Sequence, residues 1–263
     1  MPRLLVIVPA PVSGAQLALR QAQADAARLP AAWQIEFRPV RASADNQVSA
    51  HDYAISELCI LEAGLTAADE GFDAVCVDTV SDSGVDSLRS VLRIPVVGAG
   101  RASCLMAAML GERFSILTMW DRWRPLYTRT LQKLGLEARC ASIRSAGLVP
   151  DSRNLLAGKE DDTLPRLLAA ARAAVEEDGA DVICLGSTSM HQAALYLAEN
   201  LSVPLINPGP LSYSLAVTMV ELDLAHSQRA TPAPLVEKKA MIHAMLNAAA
   251  VVQGENLPSV SAS

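Results

Sequence analysis

Aromatic residues make up only 4% of this 263-residue chain, which leaves few flat side chains on which nucleic-acid bases or sugar rings stack. Lys and Arg form no run, and the net charge is −6. A phosphate-tracking surface is therefore excluded, and no nucleic-acid partner is expected. No stretch approaches the roughly 18 uninterrupted apolar residues of a membrane span, so no membrane partner is expected either. Residues 1–10 carry one early cation, Arg3, and an apolar run that is short for a signal peptide and lacks a cleavage region. They read as a first strand, and a cytoplasmic location is expected. The five cysteines, Cys59, Cys76, Cys104, Cys140 and Cys184, are odd in number and widely spread. Neither a disulfide framework nor a CxxC metal pair follows from them, and no metal or cofactor is expected.

What is present is apolar bulk, 51% of the chain, enough for a large core in one or two domains. There is also an internal repeat. Residues 71–79 lie over residues 179–187 with matches at Gly, Asp and Cys, and residues 94–97 lie over residues 203–206 with a matching Pro. The two landmarks keep the same offset within one residue. A strand, loop, helix and strand repeated at one spacing implies a duplicated α/β unit.

Strand-length apolar runs occupy residues 4–9, 33–38, 74–78, 96–98, 114–118, 182–186 and 205–207, and helical patterns fall at 15–28, 53–70, 101–110, 125–134, 163–178, 190–200 and 234–252. Continuous Val/Ile/Leu runs between helices describe strands buried on both faces of a parallel sheet. The expected fold is α/β: two pseudo-symmetric lobes, each a parallel sheet flanked by helices, with a cleft between them. Residues 99–208 are expected to form the second lobe. The second lobe is read as ending near Pro208-Gly209-Pro210, where two prolines forbid continuation of a helix, and residues 1–98 together with 209–263 are expected to form a discontinuous first lobe, because the remainder holds too few strands to stand alone. Residues 254–263 are expected to be a flexible tail. Three polar loops, 41–49, 150–162 and 226–234, are either lids or surface excursions.

A pseudo-twofold axis would set equivalent loops face to face, and ligands in open α/β sheets sit beyond the carboxyl ends of the strands. Thr79 and Ser187 are the equivalent loop residues, so two small hydroxyls are expected to flank one ligand.

The strings Gly71-Phe72-Asp73-Ala74-Val75, Ile94-Pro95-Val96-Val97-Gly98, Gly111-Glu112-Arg113-Phe114 and Asp178-Gly179-Ala180-Asp181-Val182 resemble those of the aspartate/glutamate racemase superfamily, most closely its hydantoin and allantoin racemase branch. The resemblance covers nearly the whole chain. It implies two α/β lobes with the active site between them, a cofactor-independent isomerase, and assembly as a homo-oligomer. It also implies a cysteine on each side of the cleft, one thiolate removing the α-proton and the other thiol delivering a proton to the opposite face. Those two positions fall on Thr79 and Ser187, so both cysteines are absent. The early Asn-Pro-Asn type loop is altered too, to residues 9–13, Pro-Ala-Pro-Val-Ser.

A thiol titrates near 8.5, whereas an aliphatic hydroxyl ionises several units higher and needs a neighbouring base. Cys76 and Cys184 each lie three residues before the loop positions inside apolar runs, and are read as structural. His191, four residues after Ser187, is either an auxiliary base or a capping or solvated histidine. Asp82 either accepts from the Thr79 hydroxyl or caps the following helix. Asp78 either orients a ligand or bonds nearby backbone amides. Backbone N–H groups at Val80-Ser81 and Thr188-Ser189 are candidate carboxylate or oxyanion cradles. Ser13, Thr118 and Ser189 are candidate hydroxyl contacts. Trp120, Trp123 and Tyr127 either line the pocket or pack in the core.

The expected function is a racemase- or isomerase-like enzyme acting on a small carboxylate or cyclic amide, with hydroxyls in place of the two thiols. Two alternatives stay open: a hydrolase or lyase using Ser187 or Thr79 with an auxiliary base, and a small-molecule binding protein without catalysis.

Overall fold

The computed structural model describes residues 1–151 and 153–255. Two parallel four-stranded sheets form, with orders β2-β1-β3-β4 and β6-β5-β7-β8. The first comprises β1 (Arg3–Val8), β2 (Gln34–Pro39), β3 (Ala74–Val77) and β4 (Val96–Gly98); the second comprises β5 (Phe114–Thr118), β6 (Cys140–Ser145), β7 (Val182–Leu185) and β8 (Leu205–Ile206). The orders are the same, so the repeat read in the sequence is a repeat of topology. The helices are α1 (Gly14–Gln21), α2 (Gln23–Ala27), α3 (Ala50–Gly64), α4 (Val85–Val91), α5 (Ala99–Leu110), α6 (Arg124–Leu134), α7 (Glu160–Glu176), α8 (Ala194–Asn200), α9 (Pro208–Glu221) and α10 (Lys239–Glu255).

Alternate residues of the central strands feed opposite faces, as the period of a strand requires. Leu5, Ile7, Val75 and Val77 pack with Ile60 and Ala63 of α3 and Leu88 of α4. Leu4, Val6, Ala74 and Cys76 pack with Tyr213 and Ala216 of α9. In the second sheet Leu117, Ile183 and Leu185 meet Leu167 and Ala171 of α7, while Phe114, Ile116, Val182 and Cys184 meet Ala107 of α5 and Tyr127 and Leu131 of α6. Covering both faces of both sheets explains why the strands read as unbroken apolar runs.

Several elements differ from the sequence expectation. β6, an edge strand paired with β5, has no Val/Ile/Leu run, because it is half-buried along its whole length and its Ser and Arg side chains meet solvent. The short α4 begins after Gly84 in the left-handed region and gives too few turns for a clear period. The helical pattern at 15–28 is two helices. The prolines at 208 and 210 continue no helix but start one, α9, which the sequence reading did not include; a first-turn residue has no intrahelical use for its N–H. α9 lies on β3 and β4 of the first sheet and against α2 and α5, and α10 packs on α3. Of the expected tail, residues 254 and 255 end α10, and residues 256–263 lie outside the described residues.

Within each sheet the connections leaving the two central strands run in opposite directions. The crevice beyond their carboxyl ends is where such a sheet leaves room for a ligand. In the first sheet this point lies at Pro9 and at residues 78–81; in the second it includes residues 186–189.

Candidate active site

Thr79, Val80 and Ser81 from the loop after β3, and Ser187, Thr188 and Ser189 from the loop after β7, line one cleft whose empty volume is about 640 Å³ including its open mouth. That is within the usual range for small-molecule sites. The polar stretch 43–47 and Pro150 cover part of it. Two of the three polar loops thus reach the cleft. The third turns elsewhere: His226 binds the carbonyls of Arg89 and Leu92.

The two loops are equivalent arrangements. Thr79 Oγ1 lies 3.2 Å from Ser81 Oγ, and Ser187 Oγ lies 2.7 Å from Ser189 Oγ. The Ser81 N–H donates to Thr79 Oγ1 at 3.5 Å and the Ser189 N–H to Ser187 Oγ at 3.2 Å. These inward bonds modify the expected cradle. The amides of Ser81 and Ser189 hold their own loops, whereas those of Val80 and Thr188 take part in none of these loop bonds.

Beneath the loops lies a buried ionic floor. Asp78, fully buried, accepts from Arg20 at 3.3 Å, from Gln23 Nε2 at 3.2 Å and from the Tyr213 hydroxyl at 3.1 Å. Its carboxylate is thus held by side chains, not by backbone amides. Thr188 Oγ1 accepts from Arg20 at 3.0 Å and donates to the Asp78 carbonyl at 2.9 Å, which ties the second sheet's loop to the first. Burial, and then the Asp78 charge, push the Tyr213 phenol far above its ordinary range, so it serves as a neutral donor.

Gly186 admits the Tyr127 hydroxyl, which donates to its carbonyl at 2.7 Å; a Cβ there would stand 2.7 Å from that hydroxyl and 2.8 Å from the Leu117 carbonyl. Gly100 is required in the same way: a Cβ would come within 2.1 Å of the Val80 carbonyl. Both glycines let a neighbouring strand or helix approach a site loop closely.

Other expected contacts are placed away from the cleft. His191 sits in a 3-10 turn, residues 188–193, whose three-residue period rotates it away from Ser187. Its Nε2 lies 2.9 Å from the Leu19 carbonyl, and burial lowers its pKa, so the imidazole is neutral and engaged. Asp82 caps α5, accepting from the N–H groups of Gly100 at 2.8 Å and Arg101 at 2.7 Å. It is half-buried, and desolvation lifts its carboxyl to about 6 against the pull of those amides. Thr118 is buried behind the cleft, 2.8 Å from the Tyr127 hydroxyl. Ser13 is exposed at the start of α1, with no side-chain cap bond. Trp120 stacks edge-on against Trp123 with centroids 6.3 Å apart, and of the two only Trp123 borders the cleft.

The cysteines do not enter the cleft. Cys76 and Cys184 are buried in the sheets with thiols pushed far above neutrality, and burial raises Cys59 and Cys140 to about 11 and Cys104 to about 12. Arg20, Gln23 and Tyr213 had no sequence signal beyond polar groups on apolar-faced helices. Only the fold brings them to Asp78.

Comparison with known proteins agrees with this architecture. Residues 6–216 match the model of the Asp/Glu/hydantoin racemase family. The chain belongs to that family. It is 31% identical over 201 residues to a hydantoin racemase of Pseudomonas sp. (strain NS671), covering 76% of this chain and 78% of that protein. It is 30% identical over 225 residues to a hydantoin racemase of Paenarthrobacter aurescens, covering 84% and 92%. The structure of an allantoin racemase from Klebsiella pneumoniae superposes with a TM-score of 0.81 at 25% identity, over 92% of this chain and 99% of that one. The chain is therefore a racemase-type enzyme of the hydantoin/allantoin branch, and its cleft lies between two lobes of the family fold. Among the described residues no helix is long and apolar enough to cross a membrane.

Proposed function

We propose that the protein inverts or exchanges the configuration at an acidic C–H of a small cyclic amide or carboxylate, with the Thr79 and Ser187 hydroxyls on opposite faces of the substrate carbon. The observation that carries this reading is the presence of both residues, equivalent under the repeat, on the walls of one cleft. The amides of Val80 and Thr188 are the donors we assign to the developing oxyanion. The Arg20–Asp78 pair fixes the floor and ties the Ser187 loop to Asp78.

A hydroxyl is a weaker acid than a thiol by several pKa units, each worth about 1.4 kcal/mol. The substrate must therefore bring its own acidity. A hydantoin, the substrate in the names of two relatives, suits this demand because its ring C–H lies between a carbonyl and a nitrogen and its enolate is delocalised. A hydrolytic role using Ser187 with His191 is not favoured, because that imidazole is bonded to Leu19.

The test is incubation with single enantiomers of 5-substituted hydantoins, of allantoin and of amino acids, followed by chiral chromatography and mass spectrometry. Inversion at constant mass that is lost in Thr79→Ala and Ser187→Ala supports the proposal. A change of mass, or ligand-induced thermal stabilisation with no turnover of any of these compounds, refutes it.

A further inference from the structure

Among the described residues a line of hydroxyls leads out of the cleft on one side only. From Thr79 Oγ1 the next oxygen is Ser81 Oγ at 3.2 Å, and the next is Ser83 Oγ at 2.9 Å. Two amides of this loop donate to the hydroxyl two residues back, Ser81 N–H to Thr79 at 3.5 Å and Ser83 N–H to Ser81 at 3.3 Å. Those bonds hold the three oxygens in file. Ser81 borders the site cleft and also, with Ser83, a second cleft on the outer side of the same loop, whose walls include Glu57, Asp86 and Arg101. This outer cleft has an empty volume of about 800 Å³ with its open mouth.

Among the described residues the opposite wall has no such path. Ser187 pairs with Ser189, but the residue equivalent to Ser83 under the repeat is His191, which turns to the Leu19 carbonyl. The duplication has kept two hydroxyls on each side and extended the file on the first side alone.

We propose that Ser81 and Ser83 act through Thr79 as a proton relay connecting one face of the substrate with water in the outer cleft. This rests on the function proposed above. When the substrate C–H bond breaks, its electron pair stays on the substrate as an enolate and its proton passes to Thr79 Oγ1. The proton of Thr79 moves to Ser81 Oγ, that of Ser81 to Ser83 Oγ, and that of Ser83 to a water of the outer cleft. Every hydroxyl gives one proton and gains one, so no alkoxide has to persist at a site that lacks a strong base. Ser187 then protonates the other face and takes a proton from water at the mouth of the site cleft; the hydroxide left there is neutralised through bulk water by the proton released at the outer cleft, which closes the cycle.

The test uses the full chain and enantiopure 5-methylhydantoin in D2O at neutral pH. Loss of the ring C–H signal by proton NMR and optical purity by chiral chromatography are followed together, with the uncatalysed rates subtracted. Wild type is expected to incorporate deuterium. Ser81→Ala and Ser83→Ala are each expected to lower kcat for exchange by at least about tenfold with KM little changed, a threshold set below the roughly 10²–10⁴-fold worth of a positioned acid–base group because water can partly replace one hydroxyl of the file. Ser81→Thr, which keeps a hydroxyl, is expected to stay within about threefold of wild type, well short of the loss from removing that path. Melting temperatures of the variants identify any loss that comes from unfolding, and Ser83→Ala serves if Ser81→Ala does not fold. Exchange at the wild-type rate in both alanine variants overturns the relay while leaving the proposed function standing. Absence of exchange and inversion in the wild type overturns both.

Discussion

Replacing Asp78 by Asn removes a charge while keeping the side chain's shape, and the structure sets the cost. Asp78 is fully buried and Arg20 is 3% exposed, and their ion pair is accompanied by donors from Gln23 and Tyr213. Asn keeps one acceptor oxygen but turns an NH2 group toward this set of donors, and it leaves the guanidinium buried without its carboxylate. Removing one partner of a buried pair costs about 3–5 kcal/mol. For a chain of this size that corresponds to a fall in melting temperature of roughly 10 °C. The assay is urea denaturation followed by far-UV circular dichroism, comparing midpoints at unchanged m-value. Arg20→Met combined with Asp78→Asn is expected to recover most of the loss, giving a coupling of about 2 kcal/mol or more in the cycle, because the charge that faced the lost carboxylate is gone as well. A loss below about 1 kcal/mol for Asp78→Asn, the size of an exposed pair, refutes the reasoning.

Asp82 gives a pH signature. Its carboxyl is raised from 3.8 to about 6 in the folded protein, so between these values the folded state holds more protons than the unfolded chain and this group's contribution to stability falls as pH rises. Relative to Asp82→Asn, wild type is expected to lose about 2 kcal/mol between pH 4 and pH 7; a constant difference contradicts the shift. Because the thiols are raised by burial and lie outside the cleft, brief iodoacetamide treatment at pH 8 is expected to leave activity intact, with Cys140 alone slowly labelled by mass spectrometry. Rapid inactivation would show that a cysteine serves the reaction after all.

The sheets were legible because strands covered on both faces are apolar throughout, and the repeat made their duplication visible. β6 was not, since its half-buried Cys-Ala-Ser-Ile-Arg-Ser sequence carries polar residues where a covered strand carries Val, Ile or Leu. α9 was obscured by prolines whose effect reverses between the interior and the first turn of a helix. At the site, Thr79 and Ser187 followed from the repeat alone, because equivalent loops of like sheets open on the same crevice. Of the two readings open for His191, the auxiliary base assumed an α-helical period where the chain makes a 3-10 turn, and neither reading anticipated the bond to the Leu19 carbonyl. The floor of Arg20, Gln23, Asp78 and Tyr213 joins residues far apart in sequence, and only Asp78 lay beside a recognisable motif.

The double substitution Thr79→Cys with Ser187→Cys tests most directly whether these two residues oppose each other across one substrate carbon. Thiols at those positions titrate several units lower than hydroxyls. The account predicts that the double variant racemises 5-methylhydantoin at least about tenfold faster than the wild type, with a bell-shaped pH profile from one thiol and one thiolate. A double variant that folds and binds the hydantoin, yet racemises it no faster than the parent, would contradict the claim that the two walls act on the same carbon.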